Sequence, residues 1–235
     1  MPEVVPYEVR AQASGDQLLR EASEFFMGQG SINRALRDLA ADLEAAAIPY
    51  AVLGAIAMGR HGMVRMTLDL DILLTPEGLA AFKERYSGRG YVPAFPGAEK
   101  TFRSAATGVR IEVITTGEYP GDGKPKAVRF PDPAEASVDL DGVRIISLER
   151  LVDLKLASGM TAPHRLRDLS DVIDLIRALR LPSEFADKLD ASVREMYRQL
   201  WEKGQTVDQV VEEPYEAGAT SATSGIRESL RRRRA

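Results

Sequence analysis

Apolar and polar positions along the chain change period several times. Residues 16–27 and 31–47 carry apolar side chains at helical spacing; in the second, Ile32, Leu36, Leu39, Leu43 and Ala46 share one stripe. Ser31 stands where a cap is expected, and Pro49 closes the segment. YAVLGA, residues 50–55, reads as a short buried strand entering a turn at Gly54, and residues 57–60 as the start of a short helix. MTLDLDILL follows as a second strand. Thr75-Pro76-Glu77 then opens a helix that stops at Gly88 and Gly90. YVPAF, KTFRSA and VRIEVITT predict three more strands, GEYPGDGKPK a loop, and VRII a further strand. From Ser147 onward the pattern is helical: one helix through Ala157, one over 165–180 with Leu169, Val172, Ile173 and Ile176 inward, and one opened by Ser183 and ending near Gly204.

The second strand holds an anomaly. In Leu68-Asp69-Leu70-Asp71-Ile72 the period of two sends the apolar side chains to one face and both carboxylates to the other. Side chains two apart on a strand stand roughly 6 to 7 Å apart. At an effective dielectric near 20, two such charges repel by about 2 to 3 kcal/mol. A divalent cation between them reverses the sign, since hard oxygen ligands on a rigid strand suit Mg²⁺. The alternative is structural: the acids face water or pair with Arg60 or Arg65.

Composition narrows the field. The chain has 235 residues, 44% hydrophobic and 28% charged, as in an ordinary globular protein. No apolar run approaches the length of about 20 residues that spans a bilayer. The start, MPEVVPYEVRAQ, has neither a basic nor an apolar leader region, so a cytoplasmic protein without membrane attachment is expected. With no cysteine there is no disulfide, thiolate metal site or thiol nucleophile. Neither His61 nor His164 has metal-site spacing; Tyr197 and Trp201 read as packing residues. The net charge is −4, but residues 227–235 carry five arginines and one glutamate, leaving −8 on the rest. Any footprint for nucleic acid is therefore confined to the tail or to a local cleft.

A third acid recurs in the same setting: Glu112, between Ile111 and Val113 on an alternating strand. If the two strands are neighbours, three carboxylates converge and can hold one or two Mg²⁺ ions for phosphoryl transfer. Leu53-Gly54-Ala55, thirteen residues, Asp69-Leu70-Asp71-Ile72 and later Ile111-Glu112-Val113 together resemble the nucleotidyltransferase superfamily. With His61-Gly62, Arg65-Met66-Thr67 and a late Lys155…Arg165-x-x-Asp168, the pattern resembles the branch of AbiEii-type toxin nucleotidyltransferases, over roughly residues 34 to 180.

The resemblance implies an α/β fold: a nucleotidyltransferase-like mixed β-sheet flanked by helices, with a helical carboxy-terminal part. Residues 1–30 would be an extension with a helix, 31–145 the α/β core, 146–205 the helical region, and 206–235 a linker and basic tail. It makes Asp69, Asp71 and Glu112 the ligands of Mg²⁺, or Mn²⁺, and Glu112 the group that activates an acceptor hydroxyl. Gly54 would admit the triphosphate, whose approach a glycine and a helix start both favour. Ala55 is a departure, standing where the family offers Gly or Ser. Lys155, Asp168, Arg65 and Thr67 complete the nucleotide-binding candidates, with Lys155 as a point charge on phosphate. For Lys155 with Asp168, and for Arg65, a structural ion pair is the competing reading. The implied reaction moves a nucleoside monophosphate from an NTP to a hydroxyl of RNA, protein or a small molecule, with an antitoxin as a partner. Two alternatives stand beside it: a non-catalytic relative that binds a nucleotide or partner, and an unrelated metal-dependent phosphohydrolase.

Overall fold

The computed structural model describes residues 4–212, with side chains to 205. Pro6 sets the entry to a one-turn helix, α1 (Tyr7–Ala11), and Ser14 caps α2 (Gly15–Phe26) by accepting from Gln17 N at 3.1 Å. The long amphipathic α3 (Gly30–Ala45) buries Ile32, Leu36, Leu39 and Leu43 and leads into β1 (Tyr50–Val52). Ser31 does not cap α3. The helix starts one residue earlier, with Gln29 at the cap, and the Ser31 hydroxyl accepts from Arg10 instead, at 2.9 Å.

β1 is shorter than its apolar run because Gly54 turns the chain into α4 (Gly54–His61) three residues ahead of the expected start. β2 (Asp69–Leu74) carries the paired acids. Thr75 caps α5 (Pro76–Tyr86), its hydroxyl accepting from Gly78 N at 3.0 Å. Next come β3 (Tyr91–Pro93), β4 (Thr101–Ser104) and β5 (Arg110–Thr115). Two elements absent from the sequence reading follow: a four-residue α6 (Pro133–Ala136), capped by Asp132, and β6 (Ser137–Leu140). β6 alternates Ser137 and Asp139 with Val138 and Leu140 over just four residues and, at the edge of the described sheet, pairs with β7 (Val143–Ile146), so its period-two signal is too short to stand out. α7 (Leu148–Thr161) and α8 (Leu166–Leu179) pack side by side.

The helix expected from Ser183 is broken. Residues Ser183–Lys188 form a 3₁₀ turn, and the Asp190 carboxylate accepts from Ser192 N and Oγ before α9 (Arg194–Glu212) begins. Tyr197 is fully buried with its hydroxyl on the Pro182 carbonyl, and Trp201 Nε1 donates to Leu181 O. The remaining linker and the basic tail lie outside the described residues.

Among the described residues seven strands form one mixed sheet in the order β3-β4-β5-β2-β1-β7-β6. β2 runs parallel to β5 and antiparallel to β1, while β1 runs parallel to β7. The crossover from β2 to β5 lays the strand of Glu112 beside that of the two aspartates. On β2 and β5 the inward set is Leu70, Ile72, Ile111 and Val113, all buried, and alternation turns the acids the other way. The amino-terminal residues are seated on the turn before β5. Tyr7 N donates to Gly108 O at 3.0 Å, and Arg103 grips the Glu8 carboxylate through both terminal nitrogens. Among the described residues no helix is long and apolar enough to cross a membrane.

Candidate functional site

Register fixes the centre of the site. Asp71 and Glu112 are directly paired across β2 and β5, and Leu53 N donates to Asp71 O at 2.9 Å, holding the end of β1 against β2. The chain then turns at Gly54, φ +62°, so that the first residue of α4 lies against the Asp71 carboxylate. Burial, followed by the charges of Asp69 and Glu112, pushes the Asp71 carboxyl up to about 7; Lys155 and Arg165 pull the other way. No described protein group donates a hydrogen bond to it. Asp69 accepts from the Thr67 hydroxyl at 2.6 Å, and Glu112 accepts from Arg110 Nη2 at 2.9 Å on the open side of the sheet. The two arginines offered by the sequence as structural partners for the aspartates are engaged elsewhere: Arg60 with Asp141 and Arg65 with Asp171.

A cleft of about 530 Å³ opens over these carboxylates. All nine candidates line it: Gly54, Ala55, Arg65, Thr67, Asp69, Asp71, Glu112, Lys155 and Asp168. One wall is β2, β5 and the start of α4. The opposite wall is α7 with the beginning of α8. Its apolar lining includes Ile114, Pro120, Phe130, Leu151 and Leu154.

The α7–α8 wall is an ion-pair network. Lys155 Nζ lies 2.6 Å from Asp171 Oδ2 and 3.1 Å from Asp168 Oδ1. Asp168 also accepts from Ser158 Oγ at 2.7 Å and pairs with Arg165 at 3.2 Å. Lys155 and Arg65 are thus both in ion pairs, which for these residues was the structural alternative. Ser158, Arg167 and Asp171 escaped the sequence reading, and Arg165 entered it as part of the motif without a role. Arg165 and Arg167 are exposed on the lip of the cleft, and Asp171 is buried behind Lys155. Their signal lay in HRLRDLSD, where Asp171 follows Asp168 by three and so shares its helix face. His61 serves the fold, Nε2 donating to Ile146 O at 2.8 Å, and His164 sits in a 3₁₀ turn before α8.

Among the described residues no group of three His, Asp or Glu side chains is close enough to enclose an ion, with Asp69 turned to Thr67 and Glu112 to Arg110. Asp71 nevertheless fits one: a carboxylate with a raised pKa, two acids beside it and no protein donor is stabilised by a cation in reach of its oxygens.

No protein-family model and no curated protein matches the sequence. Solved structures do match. An antigenic nucleotidyltransferase-like protein from Paracoccidioides brasiliensis aligns at TM-score 0.50 and 16% identity, over 76% of this chain and 90% of that one. JHP933 from Helicobacter pylori aligns at TM-score 0.39 and 16% identity, over 77% and 96%. The antibiotic-resistance factor ANT(2'')-Ia aligns at 0.42 and 13%, over 73% and 91%. The likeness at TM-score 0.50, with the mixed seven-stranded sheet and its flanking helices, identifies the fold: the chain has a nucleotidyltransferase fold.

Proposed function

We propose that the protein transfers a nucleoside monophosphate from an NTP to a hydroxyl acceptor. The observation that supports this best is the single cleft in which Asp69, Asp71 and Glu112 on adjacent parallel strands face a basic wall on α7 and α8. In the reaction the acceptor oxygen bonds to the α-phosphorus, the bond from that phosphorus to the oxygen bridging to the β-phosphate breaks, and pyrophosphate leaves. Glu112 takes the acceptor proton, its pairing with Arg110 being half-exposed and therefore weak. Asp69 and Asp71 would hold Mg²⁺ or Mn²⁺, with Glu112 third; the ion supplies Lewis-acid polarisation of the phosphoryl oxygens.

Gly54 leaves room for phosphate at the start of α4, where free backbone N–H groups and the helix dipole favour an anion. Because Lys155 already serves two carboxylates, the exposed Arg165 and Arg167 supply the positive charge for the outer phosphates. The acceptor hydroxyl belongs to RNA, a protein or a small molecule, and a toxin role with an antitoxin partner is one setting for this chemistry. A second reading has its own support: Glu112 held by Arg110, and Ala55 in place of a hydroxyl, suit a non-catalytic protein that binds a nucleotide or partner.

Incubation with α- and γ-labelled NTPs, Mg²⁺ and a mixed acceptor pool separates these. The transferase reading expects only the α-label on an acceptor, pyrophosphate release, and loss of transfer in Asp69→Asn and Asp71→Asn. Transfer of γ-label, release of inorganic phosphate, or full activity in those variants would overturn it. Nucleotide binding without transfer to any acceptor favours the binding protein.

A further inference from the structure

We propose that Asp171 is a positioning residue that fixes the cleft's basic wall, holding Arg65 and Lys155 at set places so that the wall meets an NTP with a surplus of positive charge. The proposal rests on the nucleotide reading above. Asp171 is 2% exposed and sits on α8, one turn beyond Asp168. Arg65 grips it with a fork, Nε to Oδ1 and Nη2 to Oδ2, both at 3.0 Å, and Lys155 Nζ adds a contact of 2.6 Å to Oδ2. One carboxylate therefore ties together three separate segments: the residues leading into β2, α7 and α8.

Burial raises the Asp171 carboxyl, but Lys155 and Arg65 outweigh it and hold the group below the usual carboxylate range. The acid stays ionised behind the wall. Arg65, Lys155, Arg165 and Arg167 carry four positive charges against two on Asp168 and Asp171, which leaves a surplus of two for an anionic ligand. Position matters as much as charge. Arg65 lies four residues before Asp69, so the Arg65–Asp171 fork also sets where β2 enters the cleft. A lysine cannot reproduce the fork, because an ammonium is a point charge.

The test compares wild type, Asp171→Asn, Asp171→Glu and Arg65→Lys for ATP·Mg²⁺ affinity and for KM and kcat, at a temperature where circular dichroism shows each to be folded. Asp171→Asn is expected to weaken affinity and raise KM roughly 10- to 100-fold, the usual cost of releasing groups that orient a site. Asp171→Glu should restore part of the loss, and Arg65→Lys should show a smaller loss in the same direction. Should Asp171→Asn fail to fold, Arg65→Lys carries the test alone. Folded variants with a lower Tm but wild-type affinity and KM would reduce Asp171 to a structural ion pair and overturn the proposal. A wild type that binds no ATP would overturn this proposal together with the nucleotide reading, whereas affected affinity without transfer would leave Asp171 positioned as proposed and remove only the catalysis.

Discussion

Gly54 and Asp71 occupy one another's space: a Cβ built on Gly54 would lie 3.2 Å from Asp71 Cγ and nearer still to Oδ2, at a backbone φ of +62°. The glycine is required twice, once for the left-handed turn and once for the carboxylate. Gly54→Ala is therefore expected to cost about 1–3 kcal/mol of backbone strain. For a chain of this size that lowers Tm by roughly 2–4 °C per kcal/mol. It should also displace Asp71 and reduce nucleotide binding. Thermal melts and ATP titrations check both, and an unchanged Tm would show that the turn relaxes freely.

Asp71 sets a pH dependence whose sign follows from its raised pKa. Between the ordinary value of 3.8 and about 7, the native protein keeps a proton that the unfolded chain has released. Stability therefore falls as pH rises through that window. Asp69 and Glu112 on the strands, with Lys155 and Arg165 opposite, are the charges that face it. From pH 4.5 to 7.5, wild type should lose stability relative to Asp71→Asn by on the order of a few kcal/mol. Mg²⁺ at pH 7.5 should return that loss in wild type and not in the variant. Parallel urea melts in the two proteins, or equal Mg²⁺ shifts in both, would take Asp71 out of the site.

How much of this was legible depended on distance along the chain. The two-residue period around Asp69 and Asp71, and again around Glu112, announces the shared acidic face, and Thr75-Pro76 announces α5. Those signals are local. The Arg65–Asp171 fork joins residues 106 apart, and no periodicity reports it. β6 alternates, but Ser137-Val138-Asp139-Leu140 is a short, half-exposed edge strand, and four residues are too few for the period to announce it. Ser31 misled because the helix begins at Gly30 with Gln29 at the cap position, which places Ser31 inside the first turn, where its hydroxyl accepts from Arg10. The break at 189–193 depends on Asp190, whose backbone N–H is held by Asp153 on α7 at 2.9 Å.

Helix α2 offers a test of packing within one pair of rings. Phe25 is 8% exposed while its neighbour Phe26 is 57% exposed, the helix having rotated so that Glu21 rather than Leu19 faces inward. Phe25→Ala should cost about 3–5 kcal/mol. Phe26→Gln should change stability by no more than about 0.5 kcal/mol. Denaturant melts decide it, and similar costs at both positions would mean that Phe26 is covered in solution.

The pairing of Glu112 with Arg110 separates the two functional readings. Both side chains are more than 40% exposed, and such a pair contributes little to stability, about 0 to 1 kcal/mol. Its role must then be sought in the reaction. If Glu112 accepts the acceptor proton, Arg110 competes with the acceptor for the carboxylate, and Arg110→Gln should leave the fold intact and hold or raise kcat. Glu112→Gln should instead lower kcat by about 10² to 10⁴-fold, the usual effect of removing a general base, with ATP affinity nearly unchanged. If the pair is a lock in a protein that only binds, both substitutions leave nucleotide affinity near wild type, and neither produces transfer. A third pattern, Arg110→Gln inactive and Glu112→Gln active, would place the arginine on the phosphates and remove Glu112 from the proton path.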